Sequence, residues 1–247
     1  MSSCKTNGIV IKGSNFGEAD KILTVFTERF GKVKVIAKGI RRMKSHLAGS
    51  LEPFMLTDLM LYEGSTFYTI TGASIIQDFP NIHSDLKLTA KAFLFGELID
   101  KFLKEKEGTA DIFDLYVSVL SSIENGSQEA LVALAFEFKL TNISGFSPQL
   151  YECVHCKTKI TPCNNYWDQS EGGIICGDCQ AKFNHGINIS DGLIKLFRFF
   201  EKSNFEDINR LRINDLLACE AQNVLTSYTR SILEQELKSQ RFIDLIR

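Results

Sequence analysis

The sequence predicts an α+β protein: a five-stranded OB-fold β-barrel over residues 1–80, then an α-helical domain over 81–247 into which a zinc-binding module, 150–186, is inserted. Three observations predict it. Short β-branched and aromatic runs, separated by turn residues, fill the first eighty positions. Near Phe79-Pro80 the hydrophobic period becomes helical. Two Cys-x-x-Cys pairs then interrupt the helical part, nineteen residues apart.

GIVIKG from Gly8, KILTVFT from Lys21, KVKVIAKG from Lys32, FMLTDLMLYEG from Phe54 and TFYTITGA from Thr66 are the candidate strands. Several are apolar on both faces, as in a small sheet that curls on itself and also packs a helix outside. Five strands in about eighty residues is the size of an OB-fold, a barrel that commonly holds single-stranded nucleic acid. An SH3-like barrel has nearly the same strand count. From Leu86 the stripe Leu86, Ala90, Phe93, Leu94, Leu98 and Phe102 recurs at helical spacing and reads as core. Helices over 112–123 and 128–142 follow, with breaks at Gly108 and Asn125-Gly126, until Gly145, Ser147 and Pro148 stop the pattern. Beyond the cysteines, 191–200 and 213 to about 237 are helical again.

Composition places the chain among globular proteins, with 44% hydrophobic and 23% charged residues in a length of 247. The longest clean apolar run, Ala130 to Phe136, has seven residues, far below the ~18 that cross a bilayer. The amino terminus has no secretory apolar region. Seven cysteines are an odd number, and four of them sit in metal-knuckle pairs, which fits a reducing, cytoplasmic compartment better than a disulfide framework.

Charge is unevenly placed. Between Arg29 and Leu51 there are seven basic side chains, Arg29, Lys32, Lys34, Lys38, Arg41, Arg42 and Lys44, and no acidic one. Residues 81–247 carry 18 Lys and Arg against 23 Asp and Glu, within an overall charge of -2. A local basic surface on an acidic molecule attracts a polyanion to one face. If Val33, Val35 and Ala37 point inward, alternation sends Lys32, Lys34, Ile36 and Lys38 to the other face, and the loop after them extends the positive track. Grooves of this kind hold single strands by neutralising phosphates and stacking bases on aromatics, for which Phe16, Tyr62, Phe67 and Tyr68 are candidates.

Cys153, Cys156, Cys176 and Cys179 have the spacing of two thiolate knuckles that close a tetrahedral site around one structural zinc ion, with no open position for catalysis. His155 lies inside the first knuckle, and His185 reads as an ordinary loop residue. There is no Walker loop, no His-Glu-x-x-His and no nucleophile elbow, so a binding protein is expected and no catalytic residue is assigned.

The run FGEADKILTVFTERFGKVKVIAKGIRRMKSHLAGSLEPF from Phe16, with LYEGSTFYTITGA, ELIDKF, FEFKLTNISGFSPQL and the four-cysteine insert in that order, closely resembles the RecO family of bacterial recombination mediators. The resemblance covers essentially the whole chain. It implies an amino-terminal OB-fold, a helical carboxy-terminal domain and a zinc module. It also implies binding to single- and double-stranded DNA in the nucleoid, annealing of complementary strands, and cooperation with RecR in loading RecA onto strands coated by single-strand-binding protein, whose acidic tail the helical domain engages. Carried onto this chain, the DNA-binding surface corresponds to Lys32, Lys34, Lys38, Arg41, Arg42 and Lys44; Lys101, Lys104, Arg198 and Lys202 are candidates for the tail. Two other readings fit the residues: an OB-fold RNA-binding factor, and a zinc-stabilised scaffold that docks an acidic protein.

Overall fold

Five strands close into a barrel in the computed structural model, which describes residues 3–246: β1 (Ser3–Phe16), β2 (Asp20–Thr27), β3 (Gly31–Ala37), β4 (Leu56–Glu63) and β5 (Tyr68–Gln77). Around the barrel the order is β1-β2-β3-β5-β4, with β3 and β5 parallel and every other seam antiparallel. This is the expected OB topology, and closure leaves no sheet edge open. Alternation along β3 sets the inside: Val33, Val35 and Ala37 are buried with Val10, Leu23, Val25, Leu59, Leu61 and Ile70, whereas Lys34 is exposed. At the β2–β3 turn, Gly31 has φ +63°, and a Cβ there would run into the Glu107 carbonyl, so a side chain is excluded twice over.

Helices α1 (Pro80–Ser84), α2 (Leu86–Phe102) and α3 (Ala110–Glu124) follow the barrel. The Asp85 carboxylate accepts from the backbone N–H groups of Lys87 and Leu88 and so starts α2. Part of the barrel's outer wall is apolar because these helices cover it. Phe26 lies 5.7 Å from the Phe113 ring and 6.3 Å from Tyr116, and Phe54 meets Phe93 edge-on at 4.7 Å. A shift in register between Val10 and Lys12 accompanies burial of Ile11, whose Cβ would be 3.4 Å from a Cβ added to Gly96 of α2. The buried face of α2 differs from the expected stripe. Leu88, Ala92, Phe95 and Ile99 are covered in addition, while Leu86 is 60% and Phe93 44% exposed. The helix is covered by α1, α3, β1 and the chain's last helix, so burial extends beyond one stripe.

The remaining helices are α4 (Glu129–Ile143), α5 (Gly177–Phe183), α6 (Asp191–Lys202), α7 (Phe205–Arg210), α8 (Asp215–Leu233) and α9 (Lys238–Leu245). Contacts divide the chain into two units, one reaching to Asn125 and regaining the chain from Lys238, the other Gly126–Leu237. In the first unit, α9 packs on α2, and the Glu97 carboxylate accepts from the N–H groups of Lys238 and Ser239 at 3.0 and 2.8 Å.

In the second unit, α4 is buried along most of its surface, Glu137 and Thr141 included, and packs against α6, α7 and α8. Phe138 stacks on Phe197 at 5.2 Å. Between α4 and α6 the chain forms a small antiparallel sheet, β7 (Gly173–Cys176), β6 (Asn165–Asp168) and β8 (Ile187–Ile189) in that spatial order, with α5 leading out of β7. Trp167 of β6 is buried edge-on to Phe197 and Tyr228.

Candidate nucleic-acid interface and metal centre

The basic residues of β3 and the β3–β4 loop separate into two groups. Lys32 lies at the covered end of the outer wall, its side chain 12% exposed, and its ammonium donates to the Asp100 carboxylate at 3.0 Å and to the Asp100 carbonyl at 2.5 Å. Burial works against ionising Asp100, yet the hydrogen bond and charge of Lys32, helped by Lys12, hold its carboxyl below the usual range. Lys32 is thus paired and largely covered, its charge fastening α2 to β3, whereas Lys34 of the same strand is exposed. Nothing local in the sequence signals this pairing, since the partners are 68 positions apart.

Lys34 is exposed and only loosely paired, 3.9 Å from Glu105. Lys38, Arg41, Arg42 and Lys44 are all exposed on the loop. That loop is tied down at its base. Gly39 donates to the Asp20 carboxylate at 2.7 Å, the Arg41 N–H to the Ala19 carbonyl at 2.9 Å, and its guanidinium to the Gly17 carbonyl at 3.5 Å. These bonds place Arg41 against the β1–β2 turn, next to Phe16, which is 48% exposed at the end of β1. An aromatic and a basic loop thus share one end of the barrel. Tyr68 instead stacks on Phe30 at 6.0 Å. Of the residues considered for an acidic tail, Arg198 donates twice to the Leu150 carbonyl and lies 4.7 Å over the Tyr151 ring, a packed role.

The two knuckles converge. In the first, Cys153 N–H bonds the Thr158 carbonyl and Lys157 N–H bonds the Cys153 carbonyl, with Lys157 in the left-handed region at φ 61°. The second takes Cys176 from the end of β7 and Cys179 from the first turns of α5. All four sulfurs lie within 4.8 Å of one another, and Cys156 and Cys176 are 3.6 Å apart. A tetrahedron with metal–sulfur bonds of about 2.3 Å has edges of about 3.8 Å, so the cluster fits a four-thiolate metal ion and is far too open for a disulfide. Hydrogen bonds from Thr158 draw the Cys156 thiol down to about 6. Cys163 stays outside the cluster, exposed. His155 and His185 also stay outside and turn instead to Asp168; His185 lies in a loop as expected, with that carboxylate as its partner.

Together these features define a class of α+β protein: an OB barrel with a basic loop at one end, joined in one chain to a helical unit that carries a four-cysteine centre. Among the described residues no helix is long and apolar enough to cross a membrane. The family model described as Recombination protein O N terminal matches residues 1–79, and that described as Recombination protein O C terminal matches residues 83–241. The chain belongs to the Recombination protein O family, whose members act in DNA repair and recombination. It is 36% identical to the DNA repair protein RecO of Dehalococcoides mccartyi over 240 residues, 97% of this chain and 94% of that protein. It is 32% identical to that of Roseiflexus sp. over 98% of this chain and 86% of the relative, and 30% identical to that of Caldanaerobacter subterraneus subsp. tengcongensis over 98% of both.

Proposed function

We propose that this protein is a recombination mediator that binds single- and double-stranded DNA through its barrel, anneals complementary strands, and acts with RecR to load RecA onto strands coated by single-strand-binding protein. The observation that carries the reading is the end of the barrel where exposed Arg41 lies against the turn that follows the exposed Phe16, on a loop that also exposes Lys38, Arg42 and Lys44, in a stretch from Arg29 to Leu51 without one carboxylate. Phosphates are held there by charge and a base by stacking, so binding is strong, salt-dependent and indifferent to sequence. Lys34 continues the track along β3; Lys32 does not. The four cysteines hold one structural zinc ion, since four thiolates favour zinc and leave it no open position. No step needs ATP or a catalytic residue in this chain. The acidic tail of single-strand-binding protein tethers the mediator to coated strands and raises its local concentration.

The test is annealing. Complementary single strands, each coated with the cognate single-strand-binding protein, are mixed without ATP, and duplex formation is followed by fluorescence. Acceleration that depends on this protein supports the reading. Tight binding to bare strands with no acceleration on coated ones rejects it in favour of a plain nucleic-acid-binding barrel.

A further inference from the structure

We infer that His155, Asp168 and His185 form a second metal site, distinct from the four thiolates, that takes a borderline divalent cation such as zinc. The three side chains come from separate segments: the first knuckle, the end of β6, and the loop between α5 and β8. They converge on one point. His155 Nε2 lies 3.1 Å and His185 Nε2 2.6 Å from the same carboxylate oxygen, Asp168 Oδ2, and the three ligand atoms all lie within 4.8 Å of one another. Two imidazoles and a carboxylate are the donor set of three-ligand zinc sites, where bonds of about 2.0–2.1 Å place neighbouring ligand atoms about 3.3 Å apart; His155 already stands near that distance from Asp168, and the partly exposed His185 ring has to draw back by about 0.7 Å.

The surroundings are built to hold these ligands still. Asp168 is 1% exposed, and its other oxygen, Oδ1, accepts from the Ser170 N–H at 3.0 Å, the Ser170 hydroxyl at 2.7 Å and the Glu171 N–H at 3.2 Å. That leaves Oδ2 as the oxygen offered to the imidazoles. His185 Nδ1 faces the Phe183 carbonyl at 3.4 Å, the arrangement by which ligating histidines commonly place their proton on the distal nitrogen and free Nε2 for a metal. Beside Asp168 and His185 a cleft of about 340 Å³, bordered by Ser170, Gly186 and Ser231, has room for a water as fourth ligand. The donor set is nitrogen and oxygen only, so the ion held here differs in ligand chemistry from one held by the thiolates.

The test uses the whole 247-residue chain carrying zinc in its thiolate site, dialysed against a weak chelator and titrated with cobalt(II). The wild type is expected to take up one further equivalent of cobalt with the visible ligand-field bands of four-coordinate nitrogen and oxygen ligation and without the sulfur-to-metal charge-transfer band. His185→Gln, a change at a 40%-exposed side chain, is expected to keep the thiolate-bound zinc and the Trp167 fluorescence of the wild type while its cobalt affinity falls ten-fold or more. Nitrogen shifts of the His155 and His185 rings on cadmium or zinc addition supply the readout for Asp168→Asn. No uptake by the wild type, uptake accompanied by thiolate charge transfer, or equal affinity in the wild type and His185→Gln would each overturn the assignment and leave Asp168 as a hydrogen-bonding hub. None of these outcomes bears on annealing.

Discussion

Glu137 should make the second unit lose stability as pH rises. It lies in α4, 4% exposed, with Oε1 accepting from the Thr229 hydroxyl of α8 at 2.6 Å. Burial raises its carboxyl from the ordinary 4.5 to about 7, and the Thr229 hydrogen bond offsets only part of that. In the unfolded chain the group ionises near 4.5, so between 4.5 and about 7 the folded state binds more protons. Its contribution is therefore complete below 4.5 and lost as pH rises through about 7. At about 1.4 kcal/mol per pH unit the interval amounts to about 3 kcal/mol. Glu137→Gln keeps an acceptor for Thr229 and cannot ionise. Urea unfolding followed by the fluorescence of Trp167, the sole tryptophan and buried in the same unit, isolates the effect. The stability gap between variant and wild type should widen by about 3 kcal/mol in the variant's favour from pH 4.5 to 8. A gap that stays constant across that range would refute the reasoning.

Arg41→Ala/Arg42→Ala should weaken single-strand binding and flatten the slope of log affinity against log salt by up to about 1.4, as two phosphate contacts are removed; an unchanged slope rejects their assignment. Lys32→Met and Lys34→Ala should separate stability from binding. The first leaves Asp100 half-buried without its closest cation and lowers the melting temperature of the first unit, while the second reduces DNA affinity at unchanged melting temperature. Strong chelation should release zinc from the thiolates and loosen the second unit, read as lost Trp167 burial, because a structural metal site contributes folding free energy; intact Trp167 emission after verified zinc removal speaks against it. Gly31→Ala should destabilise the barrel end by more than about 1 kcal/mol, measured by thermal melting, since the added Cβ meets the Glu107 carbonyl at positive φ.

Where the chain's own local pattern decided the outcome, the sequence was a sufficient guide. The alternation of Val33, Val35 and Ala37 against Lys34 is the alternation of the strand, and the knuckle spacing of Cys153, Cys156, Cys176 and Cys179 is the geometry of the cluster. The start of α3 and α4 differs by only one or two residues from the periodic segments. What stayed hidden depends on contacts between distant segments. Lys32 looks like any other lysine of the basic run until α2 brings Asp100 to it. His185 has no local pattern to distinguish it, because its partner lies on β6 and their meeting is a property of the small sheet. The short strands β6 to β8 and helices α1, α7 and α9 carry too few residues for a period to emerge.

Glu97 receives the start of a helix whose first residue lies 141 positions further along the chain. At about 5–20 residues per second of synthesis, α2 waits on the order of ten seconds or more for α9 to exist. During that interval the barrel and its first three helices must persist with one side of α2 uncovered, while the whole of Gly126–Leu237 is made and folds. A chain that stops short of Lys238 therefore has every strand of the barrel and every cysteine of the metal centre, yet leaves uncovered the side of α2 on which α9 packs.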